Sequence, residues 1–210
     1  MKNKLFIVLC LGITLFGILG FGNTTLVSKQ VPSTYSIPDT MDAKEIMKTV
    51  EMAYDIEAES AYTFDLRKFP NVFINDPRFP VDPSTLEVVR ELTNNPSLES
   101  AGWLDYKLAY YSWRMDATLY AEAIKEKAKA DNRELTDSEK KSLIDSNGRS
   151  APARAEDPYR HQPLLFMSVN IVDDIATVVL NDGPTTIELT VVLVDKQWYI
   201  AGIKGISIHP

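Results

Sequence analysis

The strongest constraint on the fold lies at the C-terminus. Leu164–Val172, Ile175–Leu180, Thr185–Val194 and Gln197–Ile208 are runs rich in β-branched and aromatic residues, a composition that fits a pleated, half-buried surface. They are separated only by Asp173-Asp174, Asn181-Asp182-Gly183-Pro184 and Asp195-Lys196. A parallel crossover takes about a dozen residues or more, so links this short force four antiparallel strands in a meander. In the third run Ile187, Leu189, Val191 and Leu193 alternate with Thr186, Glu188 and Thr190. That alternation gives one dry face and one face that is wet or turned toward a ligand.

A sheet with one dry face needs a cover, and segments of helical period upstream supply it. Asp42 with Glu45 reads as a capping box. It opens a helix to about Ala61, with Met47, Val50, Tyr54, Ala58 and Ala61 on one side and Glu51, Asp55 and Glu59 on a wet side. Phe64–Leu66 and Phe69–Ile74 read as extended, and Asn75-Asp76-Pro77-Arg78 as a turn. Asp82 as N-cap and Pro83 behind it start a second helix that carries Leu86, Val89 and Leu92 and stops at Asn94-Asn95-Pro96.

The longest helix covers about Trp103 to Asp131 and has two adjoining stripes. One holds Leu104, Leu108, Tyr111, Met115 and Leu119; the other holds Trp103, Tyr106, Tyr110 and Trp113. Thr136 and Glu139 make a second capping box, for a short helix ending near Asn147-Gly148, and 149–163 reads as a proline-marked loop. Helices followed by a meander make an α+β fold. At 210 residues with 45% apolar, the chain holds one substantial core.

The N-terminus reads as an export signal. Lys2 and Lys4 precede the uncharged stretch Leu5–Phe21, in the order basic, apolar, polar. Residues 1–22 are a signal peptide or a signal anchor, the two readings standing level, and both place the rest of the chain outside the cytoplasm. The protein is then secreted, or held in the cell membrane through residues 5–21. Residues 23–41, polar and with Pro32 and Pro38, form a linker, and the α+β domain spans 42–208. Cys10 is a small apolar residue of the stretch rather than a lipid attachment point, because no small residue precedes it.

The closing run Thr190-Val191-Val192-Leu193-Val194-Asp195-Lys196-Gln197-Trp198-Tyr199-Ile200-Ala201-Gly202-Ile203 resembles the final hairpin of the nuclear-transport-factor-2-like (NTF2-like) superfamily, which includes SnoaL-like and ketosteroid-isomerase-like proteins. The likeness covers about residues 164–206. It implies helices packed on a curved antiparallel sheet that together enclose a cone-shaped pocket. A helical insertion at about 132–163 departs from the compact members. No residue here lines up with the acid–base residues of the enzyme members, so the likeness implies a pocket and not a reaction.

Charge and residue counts exclude several classes. The formal charge is -7, the wrong sign for a nucleic-acid binder. One Cys and two His exclude closed zinc sites; no metal ligand set, cofactor motif or phosphate-cradling loop is present. Acidic residues outnumber basic ones 15 to 8 over Thr40–Ala123, whereas Ile124–His161 is balanced at 8 to 9. The insertion is therefore the better candidate for a partner contact.

The candidate pocket residues are Tyr62, Asp65, Trp103, Asp105, Tyr106, Tyr110 and Trp113. Asp65 or Asp105 in a cavity mouth would suit acid–base work; the plainer readings are an Asp–Arg pair with Arg67 and a helix-start acid favoured by the macrodipole. The Trp103–Trp113 stripe is a platform for an apolar ligand or, more simply, core. His161 reads as a surface residue. Three functions remain: an exported non-catalytic domain that binds a small apolar molecule or a protein partner, a membrane-anchored scaffold subunit of an envelope assembly, and a pocket enzyme using a carboxylate. The first is the leading expectation.

Overall fold

The computed structural model describes residues 36–144, 148–155, 163–183 and 185–208, with side chains to Ile203 in the last strand. The first helix, α1, spans Met41–Thr63. Thr40, not Asp42, caps it, its hydroxyl accepting from the Ala43 N–H at 3.2 Å, so the helix starts slightly before the expected position. Two capping residues compete there, and the one whose backbone stays extended takes the role. Ala43, Ile46, Val50, Ala53, Ile56 and Ala61 are buried, while Met47, Tyr54 and Ala58 are only half-buried. The dry face is thus rotated slightly from the expected one. Phe64, in the left-handed region at φ 60°, ends the helix.

Phe69–Asn71 is a 3₁₀ turn rather than an extended run. Only the next residues extend: Ile200 donates to the Val72 carbonyl at 2.8 Å and Ile74 to the Ile200 carbonyl at 3.1 Å, a short parallel pairing. The second helix, α2, is Pro83–Leu92, with the Asp82 carboxylate accepting from the Ser84 and Thr85 N–H groups. The third, α3, is Trp103–Ala130. The fourth, α4, is Asp137–Ser142, opened by the Thr136–Glu139 capping box.

The strands are β1 (Leu165–Val172), β2 (Ile175–Asn181), β3 (Thr185–Val194) and β4 (Gln197–Ile208). They form one open sheet in the order β1-β2-β3-β4, every neighbour antiparallel. Asp195 and Lys196 both have positive φ, 51° and 68°, the geometry that matches a two-residue turn to the strand twist.

The core lies between this sheet and the helices. Ile46 and Val50 of α1, Phe69, Phe73, and Trp103 and Tyr111 of α3 pack with Val178, Leu180, Leu189, Val191, Trp198 and Ile200. A smaller cluster, Val89, Ala101 and Ala109, joins α2 to α3. The alternation of β3 holds for the inner face, but the outer one is not wet throughout. Thr190 is 7% exposed and Val192 fully buried. The cover comes from the loop before α2: Arg78 pairs with Asp76 at 2.7 Å and with Asp174, in the β1–β2 turn, at 2.7 Å.

The expected aliphatic stripe of α3 is only partly dry, because Leu119 is 44% exposed while Ala109, Thr118, Ala121 and Ala128 are buried. Small residues let another segment lie close. The Thr118 hydroxyl donates to the Pro152 carbonyl at 2.9 Å, and the Ala155 N–H donates to the Ala61 carbonyl at 3.3 Å. The Arg154 guanidinium holds the Glu122 carboxylate at 3.0 and 2.9 Å. The described segment 148–155 therefore straps α3 to the end of α1. Among the described residues no helix is long and apolar enough to cross a membrane; residues 5–21 lie outside them.

Candidate functional site

The site is organised by the first turn of α3. Gly102 stands at its N-cap position and has no side chain to offer. Asn75 supplies the missing group from 27 residues earlier in the chain: its Oδ1 accepts from the Asp105 N–H at 3.1 Å, and its Nδ2 donates to Asp105 Oδ1 at 2.8 Å. Asp105 Oδ2 accepts from the Gly102 N–H at 3.0 Å. Asp105 is exposed and fully engaged in this cap, as the plainer reading of it expects.

This cap fixes where the aromatic stripe begins. Trp103, Tyr106, Tyr110 and Trp113 follow at helical spacing, with successive ring centroids 5.0, 6.2 and 5.9 Å apart. Trp103 is buried and the other three are half-buried. Tyr110 also meets Tyr111 edge-on at 5.4 Å, and Tyr111 leads inward to Phe69 at 5.0 Å. The stripe is core on its inner side and open on its outer side. The hydroxyls of Tyr106 and Tyr110 bond to no described residue, and burial holds the Tyr106 phenol above its ordinary pKa. Arg149, from the strap, lays its guanidinium over Trp113 at 5.0 Å, within the range of a cation–π contact.

A charged group beneath these rings escapes the sequence reading. Lys107 Nζ lies 2.6 Å from Glu57 Oε1, and the Tyr111 hydroxyl donates to Glu57 Oε2 at 2.8 Å. The Lys107 ammonium also sits 5.2 Å from the Trp103 ring and 5.3 Å from the Phe73 ring. Burial, then the Glu57 charge, raises the Tyr111 phenol far above its usual range, so it stays a proton donor. One signal was available: Glu57 and Lys107 each interrupt an otherwise apolar helix face.

The remaining candidates lie elsewhere. Asp65 is held by Arg67, whose Nε and Nη2 donate at 2.9 and 2.6 Å, and this hydrogen bonding keeps its carboxyl well below the carboxylate range. A general base needs the opposite shift. Tyr62 is 42% exposed, and its carbonyl accepts from Arg154; no contact among the described residues joins Tyr62 or Asp65 to the four rings. His161 falls outside the described residues. Among those, no group of three His, Cys, Asp or Glu residues is placed to hold a metal ion.

Compared with protein-family models, curated proteins and solved structures, the chain matches none.

Proposed function

We propose that this protein is an exported, non-catalytic domain that binds a small apolar molecule on the outer side of the α3 aromatic stripe. The observation that carries this reading is the row Tyr106, Tyr110 and Trp113, half-buried rings in contact, with two phenol hydroxyls free of described partners. Such a row offers apolar area with little entropy to lose and two hydrogen-bonding tips to orient a ligand. The commitment of Asp65 to Arg67 and of Asp105 to the helix cap favours binding over acid–base chemistry. Export rests on the basic, apolar and polar order of residues 2–23.

The NTF2-like fold belongs to this proposal. The order of helices before a four-stranded meander supports it, as do the two β-bulges in the β3–β4 pairing, since bulges bend a sheet. The test is extraction of small molecules from the protein purified from its own host. The wild type is expected to carry one stoichiometric apolar compound, and a Tyr110→Ala, Trp113→Ala variant to carry none while melting cooperatively. Ligand-free wild type bound to an envelope protein would transfer the proposal to the scaffold reading.

A further inference from the structure

A second cleft lies on the other side of β3 and β4. Thr190 and Gly202 are cross-strand partners, and alternation turns Thr190 away from the Leu189 and Val191 side chains that meet α1's core. Over them runs the loop held by Arg78. The cleft so formed has a volume of about 310 Å³, walled by Phe79, Pro80, Val81, Trp103, Thr190 and Gly202, with Arg78 and Asp82 at its rim. Ligand pockets run from about 300 to 1,000 Å³, so this space suits a molecule of two fused rings.

Three features point to an occupant. Gly202 is a glycine inside a strand, next to the bulge in the β3–β4 pairing after Thr190, a position glycine often takes. Nothing lies within 4 Å of where its Cβ would be, so the missing side chain leaves room. Thr190 is 7% exposed, and its hydroxyl, on the wall of the cleft, makes no hydrogen bond to any described residue and is available to a ligand. The charge of the rim is the third: one guanidinium, Arg78, stands among Asp76, Asp174 and Asp82. That excess of carboxylates repels an anion.

We infer that this cleft binds a compact, uncharged, mostly apolar molecule with one carbonyl or hydroxyl group. Its polar atom bonds the Thr190 hydroxyl, and its rings occupy the space over Gly202 against Phe79 and Trp103. The site is separate from the outer side of the α3 stripe; the two share only Trp103.

The probe is propionyl-dimethylaminonaphthalene, a neutral fluorescent ketone, titrated into the full chain. Saturable blue-shifted emission is expected, and in the Tyr110→Ala, Trp113→Ala chain, which lacks the α3 site, it saturates at one probe per chain. Gly202→Leu fills the space and weakens binding at least tenfold. Thr190→Val removes the hydroxyl and weakens it about fivefold, the worth of one hydrogen bond. Gly202→Ala, whose added carbon meets nothing, keeps the melting temperature and shows that the strand tolerates a side chain. Anilinonaphthalene sulfonate, the anionic counterpart, binds at least tenfold more weakly at low salt. Absence of binding by the wild type overturns the inference, as does unchanged binding by folded Gly202→Leu or equal affinity for the sulfonate. Probe binding lost in Tyr110→Ala, Trp113→Ala but kept in Gly202→Leu overturns it too, and leaves the α3 reading standing.

Discussion

Asn75 does for α3 what a serine or aspartate at its own N-cap would do, and the geometry leaves room for nothing else. A methyl group at Gly102 would overlap the Asn75 side chain. Gly102→Ala is therefore expected to displace Asn75 and cost about 1–2 kcal/mol, the worth of a lost cap. The Asn75 Cβ itself lies 2.6 Å from that methyl, so Asn75→Gly, which removes both the cap and the obstacle, should abolish most of the Gly102→Ala penalty; urea unfolding of the double-mutant cycle measures this. Asp82 caps α2 in the ordinary way, and the Ser84 and Thr85 hydroxyls lower its carboxyl from 3.8 to about 2. A depressed folded pKa means the stabilisation is complete above pH 3.8 and is lost as the pH falls through about 2. Asp82→Asn should flatten the acid limb of the stability curve between those values. Asp82-Pro83 was legible because cap and proline are adjacent in sequence; the Asn75 cap was not, because its two halves belong to different elements.

Between elements, the decisive contact is Glu57 of α1 with Lys107 and Tyr111 of α3. Lys107→Met leaves a partly buried carboxylate without its cation and should cost about 1–3 kcal/mol, with part recovered by adding Glu57→Gln. The Tyr111 phenol ionises near pH 10.0 when unfolded and higher when folded. Its stabilisation is then full below pH 10 and lost as the pH rises above that value; Tyr111→Phe should make alkaline unfolding less steep. Periodicity showed that α1 and α3 are amphipathic but not which residues meet, since the partners are 50 and 54 positions apart. The same distance effect explains Leu119, read as core from its stripe yet 44% exposed. Around Thr118 the buried side of α3 is set by the strap at 148–155, and the periodicity of α3 does not show where that segment lies.

At the scale of the whole molecule, the meander was readable nearly to the residue because its short turns leave no other topology. Thr190 is the instructive exception, a polar position buried by a loop that begins more than 100 residues earlier. The strap gives a further prediction. Arg154 grips Glu122, the Tyr62 carbonyl and the Phe64 ring, so Arg154→Ala should speed proteolysis within 132–163 while amide protection in β2 and β3 stays unchanged. The central claim, that the half-buried rings of α3 receive a ligand, is tested most directly by aromatic carbon–proton spectra of the full chain as a lipid-soluble extract of its host is added. Tyr106, Tyr110 and Trp113 are expected to shift together and saturably while Trp198, 2% exposed, stays in place. No shift in those three rings, or shifts confined to other residues, would contradict the claim.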